Sequence, residues 1–231
     1  LTALIEEGLE ISLLDRLVPR FARPAGEKGV KVGAVDAKIH IRGEGGGLYL
    51  SVTGVGVRQA QAQLDPARIQ HGDVLMVSGT IGDHGIAVML ARESFGLSGD
   101  LHSDSASVLP LTRAIRNIPG LKFMRDPTRG GLATLAHEIS HACGHGIVLE
   151  EAKVPLHNQV VSVCEMLGYN PYNLACEGRV VAIADPDAAS LILKRWQNLS
   201  CGAAAAICGR IDAKVSGIIL ETTIGGKRIL E

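Results

Sequence analysis

Phe123-Met-Arg-Asp-Pro-Thr-Arg-Gly-Gly-Leu132 ends an apolar run in charged and hydroxyl residues, passes through Gly130 and Gly131, and leads directly into a helical pattern from Leu132 to Cys143. A strand that stops where a helix starts leaves first-turn N–H groups unpaired at the positive end of the helix dipole. Here that end lies beside Arg125, Asp126, Thr128 and Arg129. The junction is suited to holding an anion. An Asp or Thr N-cap followed by a glycine turn accounts for the same residues without any ligand.

Outward from this junction, strand and helix patterns alternate. A helix is predicted at about 104–117, a strand at 121–125, a helix at 130–143, a strand at 146–150, a helix at 158–168, a strand at 179–184 and a helix at 187–198. Ala203–Arg210, Val215–Thr222 and Lys227–Leu230 read as antiparallel strand material, so a mixed sheet covered by helices is expected. Before the junction, Asp73–Val77 reads as a short buried strand, and Ser78–Gly85 as a loop opening a helix to about Phe95. Arg58–Gly72 is polar and separates residues 1–64 from a second domain, 65–231. In the first part, Leu9–Gly29 has helical spacing that Pro19 and Pro24 should bend or shorten. Val30–Ile41 and Leu48–Val57 read as strands around a glycine-rich turn.

The 231 residues carry a net charge of −1, and one Trp, three Tyr and three Phe are the whole aromatic complement. Neither a basic groove nor a stacking platform for nucleic acid is indicated. No apolar run approaches the ~20 residues of a membrane span, and the start does not read as a signal peptide. A soluble cytoplasmic protein is expected. Five cysteines without a CxxC pair argue against a disulfide framework and a Cys-type zinc site.

Several groups bear chemistry. Asp36-Ala37-Lys38 presents a carboxylate and an ammonium together at the end of a predicted strand, either as a phosphate or proton-handling pair or as a surface ion pair. Asn173-Leu-Ala-Cys-Glu-Gly178 sets Glu177 ahead of a strand, as a general base or a turn residue. Asp83 and His84 either touch a substrate or cap the next helix. His137-Glu138-Ile139-Ser140-His141 matches the HExxH zinc pattern, but Leu132, Leu135, Ala136, Ile139 and Cys143 form the apolar stripe, which places both histidines on the wet face.

In this order, Gly72-Asp-Val-Leu-Met-Val-Ser-Gly-Thr-Ile-Gly-Asp-His-Gly85, Arg125-Asp-Pro-Thr-Arg-Gly-Gly131 and Asn173–Gly178 resemble the hydrogenase maturation family HypE. That family lies within the ATP-binding superfamily of aminoimidazole ribonucleotide synthetase and selenophosphate synthetase. The resemblance spans the chain from Leu4-Ile-Glu-Glu-Gly8 onward. It implies a two-domain α/β (α+β) architecture, with residues 1–64 the end of a truncated, dimer-forming ATP-binding domain and 65–231 the synthetase-like domain.

The implied reaction is ATP-dependent dehydration of a carbamoylated C-terminal cysteine to a thiocyanate, the source of the cyanide ligands of [NiFe]-hydrogenase. Implied cofactors are ATP and Mg²⁺. Implied partners are the carbamoyltransferase HypF, the HypC–HypD scaffold complex and a second copy of the chain. The resemblance maps Lys38 and Glu177 to the catalytic groups, and Asp36, Asp126, Thr128, Arg129 and Gly130 to the nucleotide or substrate. The family's Gly-Asp-Thr-Lys segment is here Val35-Asp36-Ala37-Lys38, which implies altered ATP handling if the backbone needs positive φ at the first position. The family's acidic metal-binding front and terminal cysteine have no counterpart in this sequence, and the chain is expected to be a fragment. Three rival readings stay open. They are an ATP-dependent phosphotransferase on another small substrate, a zinc hydrolase through His137 and His141, and a non-enzymatic binding module.

Overall fold

The structure, a computed structural model, describes residues 1–57, 64–92 and 100–231, and the side chains of all of these but 21 and 22. The chain forms two compact units, Leu1–Arg58 and Gln59–Glu231. The start of the polar linker and the end of the helix expected to reach Phe95 lie outside the described residues.

In the first unit, strand β1 (Thr2–Glu6) is followed by helix α1 (Ile11–Glu27) and strands β2 (Asp36–His40) and β3 (Leu48–Ser51). The two expected strands are shorter than their apolar patterns and do not pair with each other. They flank β1, with β2 parallel to it and β3 antiparallel. Glu6 explains the arrangement, since its carboxylate accepts the Gly43 N–H at 2.6 Å and the Gly47 N–H at 2.8 Å. Those bonds hold its carboxyl below the usual range and fasten the glycine-rich turn across the end of β1. Helix α1 is one element with both prolines inside it. Each proline removes one N–H from the ladder, and the remaining bonds carry the helix through.

The second unit is built on a mixed sheet. In chain order its elements are β4 (Val74–Val77), α2 (Asp83–Arg92), α3 (Leu109–Ile115), β5 (Leu121–Arg125), α4 (Gly131–Cys143), β6 (Gly146–Glu150), α5 (Asn158–Leu167), β7 (Val181–Ala184), α6 (Pro186–Gln197), β8 (Ala206–Asp212), β9 (Ile218–Glu221) and β10 (Lys227–Ile229). Among the described residues the strand order is β10-β9-β6-β8-β4-β7-β5. β6 and β9 run parallel, and the other neighbours pair antiparallel.

The pleat sorts the core into two layers. Leu75 and Val77 face α4 with Ile147, Leu149 and Ile183, packing on Leu132, Leu135, Ala136 and Ile139. Met76 points the other way with Ala182 and Ala184, against Leu111 and Ile115 of α3 and Ala189, Ile192 and Trp196 of α6. A smaller cluster joins Ile86 of α2 to Val160, Val163 and Cys164 of α5. Helix α3 starts five residues later than the pattern suggested, with Pro110 in its first turn and the Leu109 N–H donating to Ser107 Oγ at 3.4 Å just before it.

A buried lysine in this unit is held by two carboxylates, one buried with it and one partly exposed. Lys122 of β5 is 2.7 Å from Asp73 and 2.6 Å from Asp185. Burial disfavours its charge, but the hydrogen bonds it donates to Asp185 and Asp73 outweigh that and raise its pKa.

Candidate functional site

Strand register decides where the site lies. Val77, the last residue of β4, and Arg125, the last of β5, both pair with Val181, the first residue of β7. The loops after β4 and β5 and the loop before β7 therefore emerge at the same end of the sheet. Hydrogen bonds then join them. The Thr128 hydroxyl lies 2.6 Å from Asp126 Oδ2 and 3.2 Å from the Cys176 carbonyl. The Cys176 N–H donates to the Pro127 carbonyl at 3.2 Å, and the Gly85 N–H to the Ala175 carbonyl at 3.1 Å. The Gly82 N–H donates to Cys176 Sγ at 3.3 Å.

Beneath the loops lies a buried polar network. Asp83 accepts the Thr80 hydroxyl at 2.5 Å and pairs with His157 Nδ1 at 2.9 Å. Arg179 donates from Nε to the Thr80 carbonyl at 2.8 Å and from Nη2 to the Thr80 hydroxyl at 3.0 Å. Asp104 accepts the Glu177 N–H at 3.0 Å, and its other carboxylate oxygen lies 3.4 Å from Arg179 Nε. Gly178 rests on the Asp104 carbonyl, where a Cβ would overlap the oxygen. The backbone at Glu177 is thus fixed from both sides, while its side chain stays partly exposed.

The strand–helix junction has the predicted local form. β5 ends at Arg125 and α4 begins at Gly131, with no side chain capping the first turn. The expected N-cap by Asp126 or Thr128 is not made, since those two side chains bond each other. Arg129 is exposed and has no partner among the described residues. An uncapped helix start beside an unpaired guanidinium fits a phosphate-bearing group. Arg125 is committed elsewhere, to Glu138 of α4.

Gly130 and Gly131 both have positive φ. A Cβ on Gly131 would overlap the carbonyl oxygens of Tyr172 and Leu174. Gly131→Ala is expected to cost about 2–3 kcal/mol, a melting temperature lower by about 4–12 °C, measurable by thermal denaturation.

Asp36 and Lys38 lie at the start of β2 rather than at a strand end, two residues apart on one face and exposed. They form no ion pair with each other. Val35 does not take a left-handed backbone, since no described non-glycine residue has positive φ. Replacing glycine there introduces no strain of that kind.

The HExxH helix is occupied differently from a zinc site. His137 Nε2 lies 2.8 Å from the Leu230 carbonyl, the arrangement of an N–H donor rather than a metal ligand, and Glu138 is paired with Arg125. Among the described residues no group of three or more His, Cys, Asp or Glu is arranged to hold a metal ion. Burial pushes the thiols of Cys176 and Cys208 up to about 12 and raises that of Cys164. None of these three is a reactive thiolate.

Asp104, Arg179 and His157 belong to the site and were not selected from the sequence. Residues 80, 104, 157 and 179 meet only through tertiary contact. The one local signal was Arg179 directly after Gly178 at a strand start. Asp83 and His84, weighed as cap or contact, are both part of the assembly.

Residues 70–220 match the family described as AIR synthase related protein, C-terminal domain. This places the mixed sheet and its loop cluster in the aminoimidazole ribonucleotide synthetase class. Carbamoyl dehydratase HypE of Rhodobacter capsulatus is 38% identical over 230 residues, covering 99% of this chain and 68% of that protein. A chain of a HypE–HypF complex superposes with a TM-score of 0.89 at 33% identity, covering 100% of this chain and 75% of the other. HypE in complex with ATP superposes with a TM-score of 0.87 at 29% identity, covering 100% and 71%. The chain belongs to the HypE family. No helix among the described residues is long and apolar enough to cross a membrane.

Proposed function

We propose that this chain is the larger part of an ATP-dependent carbamoyl dehydratase of [NiFe]-hydrogenase maturation, converting a carbamoylated C-terminal cysteine thiol to a thiocyanate for the cyanide ligands. The observation that carries this reading is the joining of two loops. One presents an uncapped helix N-terminus with Arg129, and the other presents Glu177 on a fixed backbone. Support also comes from relatives named carbamoyl dehydratase and from the HypE structure with bound ATP.

An amide oxygen is a poor leaving group, and ATP supplies the phosphoryl group that makes it a good one. Glu177 takes protons from the amide nitrogen. Lys38 offsets developing charge or passes a proton. Arg129, Thr128 and the first-turn N–H groups of α4 hold the phosphate-bearing group, with Gly130 giving the turn into them, while Asp126 fixes Thr128. Asp36 is assigned beside the phosphate. The described residues offer no metal cage for Mg²⁺, and no step is assigned to one.

HypF is the proposed donor of the carbamoyl group, as the HypE–HypF complex suggests. The HypC–HypD complex is the proposed acceptor, and pairing of two copies is proposed through residues 1–64, read as the end of the ATP-binding domain. The test is to incubate the full-length gene product with its carbamoyltransferase and follow intact mass before and after MgATP. A carbamoyl adduct that then loses one water is expected. A persistent adduct would support the binding-module reading, and absence of an adduct would support a phosphotransferase acting on another substrate.

A further inference from the structure

We propose that His84 is a positioning and proton-relay residue for Glu177, emptying its carboxyl between the two proton removals that nitrile formation requires. The inference rests on the reading of Glu177 as the base. The chemistry sets the need. A primary amide nitrogen carries two hydrogens and a nitrile nitrogen none. As the C–O bond breaks and its oxygen leaves in inorganic phosphate, both N–H protons must depart while the C≡N bond forms. A single carboxylate holding the first proton cannot take the second until it has passed the first on.

The site supplies an outlet. His84, in the first turn of α2, places Nε2 4.0 Å from Glu177 Oε1. Among the described residues it is the one cationic or cation-forming side chain within that distance of the Glu177 carboxylate. The distance is too long for a direct hydrogen bond, but a turn of the carboxylate or one bridging water closes it. That carboxylate has no hydrogen bond of its own among the described residues, while the backbone behind it is fixed by Asp104.

On its far side, His84 Nδ1 lies 2.9 Å from the exposed Ser103 hydroxyl. A hydroxyl both donates and accepts, so Ser103 supports either imidazole tautomer. A proton delivered from the Glu177 carboxyl to Nε2 is balanced by release of the Nδ1 proton to Ser103 and solvent. The ring then returns to neutral, and Glu177 is again a carboxylate.

The test uses the full-length gene product, carbamoylated by its transferase, with loss of water followed by intact mass in a single turnover. His84→Ala and His84→Asn are expected to slow dehydration at least about tenfold with ATP affinity unchanged, and free imidazole is expected to restore the alanine variant. A rate within twofold of the parent, or a slowed rate that imidazole does not relieve, overturns the relay. Glu177→Gln is run alongside. If that variant turns over at the full rate, the reading of Glu177 fails and takes the relay with it. If it is dead while His84→Ala is unaffected, only the relay fails.

Discussion

Glu177→Gln is expected to stop dehydration while leaving ATP bound. The substitution keeps size and removes the ability to accept a proton, and loss of a positioned general base lowers rate by about 10²- to 10⁴-fold. The Glu177 backbone is held through its N–H to Asp104 and by the tight seat of Gly178, neither of which involves the carboxylate. The fold and the α4 N-terminus should therefore be undisturbed. Single-turnover mass analysis and ATP titration on the same preparation test both halves. Undiminished turnover would remove Glu177 from the mechanism, and lost ATP affinity would recast it as a binding residue.

Lys122→Met is expected to be the most damaging single change to stability, at about 3–5 kcal/mol. It leaves Asp73, which is 2% exposed, as an uncompensated carboxylate beneath the sheet. The double variant with Asp73→Asn should recover much of the loss, because Asn still accepts the Gln70 N–H that Asp73 takes at 2.7 Å. Denaturant titration of the two variants checks this, and a single variant as stable as the parent would show that the triad is not a structural element. The triad also predicts a pH dependence. The folded pKa of Lys122 lies above its ordinary 10.5, so its contribution is complete below that value and is lost as pH rises through the raised one.

The second unit was legible because its signals were local. β5, α4 and β6 follow patterns in which period, glycine punctuation and length agree, and strand and helix match the expected bounds to within a residue. The first unit was less legible. Thr2–Glu6 is too short to announce a strand, and its central position depends on Glu6 holding Gly43 and Gly47, contacts some forty residues away along the chain. The apolar stretches around β2 and β3 suggested longer strands, but Val30, Val32, Val52 and Val55 lie exposed outside them. At the site, Glu177 and the 126–130 loop could be found because each sits at a strand–loop boundary. Asp104 could not, since nothing around it in sequence distinguishes a buried carboxylate from a loop aspartate.

The bonds that join the site span long stretches of chain. Gly82 reaches Cys176, Asp104 reaches Glu177, and Thr80 reaches Arg179, at separations of 94, 73 and 99 residues. Closing such distances carries its entropic cost before any contact offsets it, and chains dominated by them fold slowly. The loop end of the sheet is therefore assembled from segments that lie far apart in the chain. On the ribosome, Thr80, Asp83 and Asp104 emerge long before Glu177 and Arg179, and the two carboxylates stay hydrated until β7 docks between β4 and β5. The loop cluster is therefore joined only once β7 has been made, and β8, the strand at the centre of the sheet, follows it.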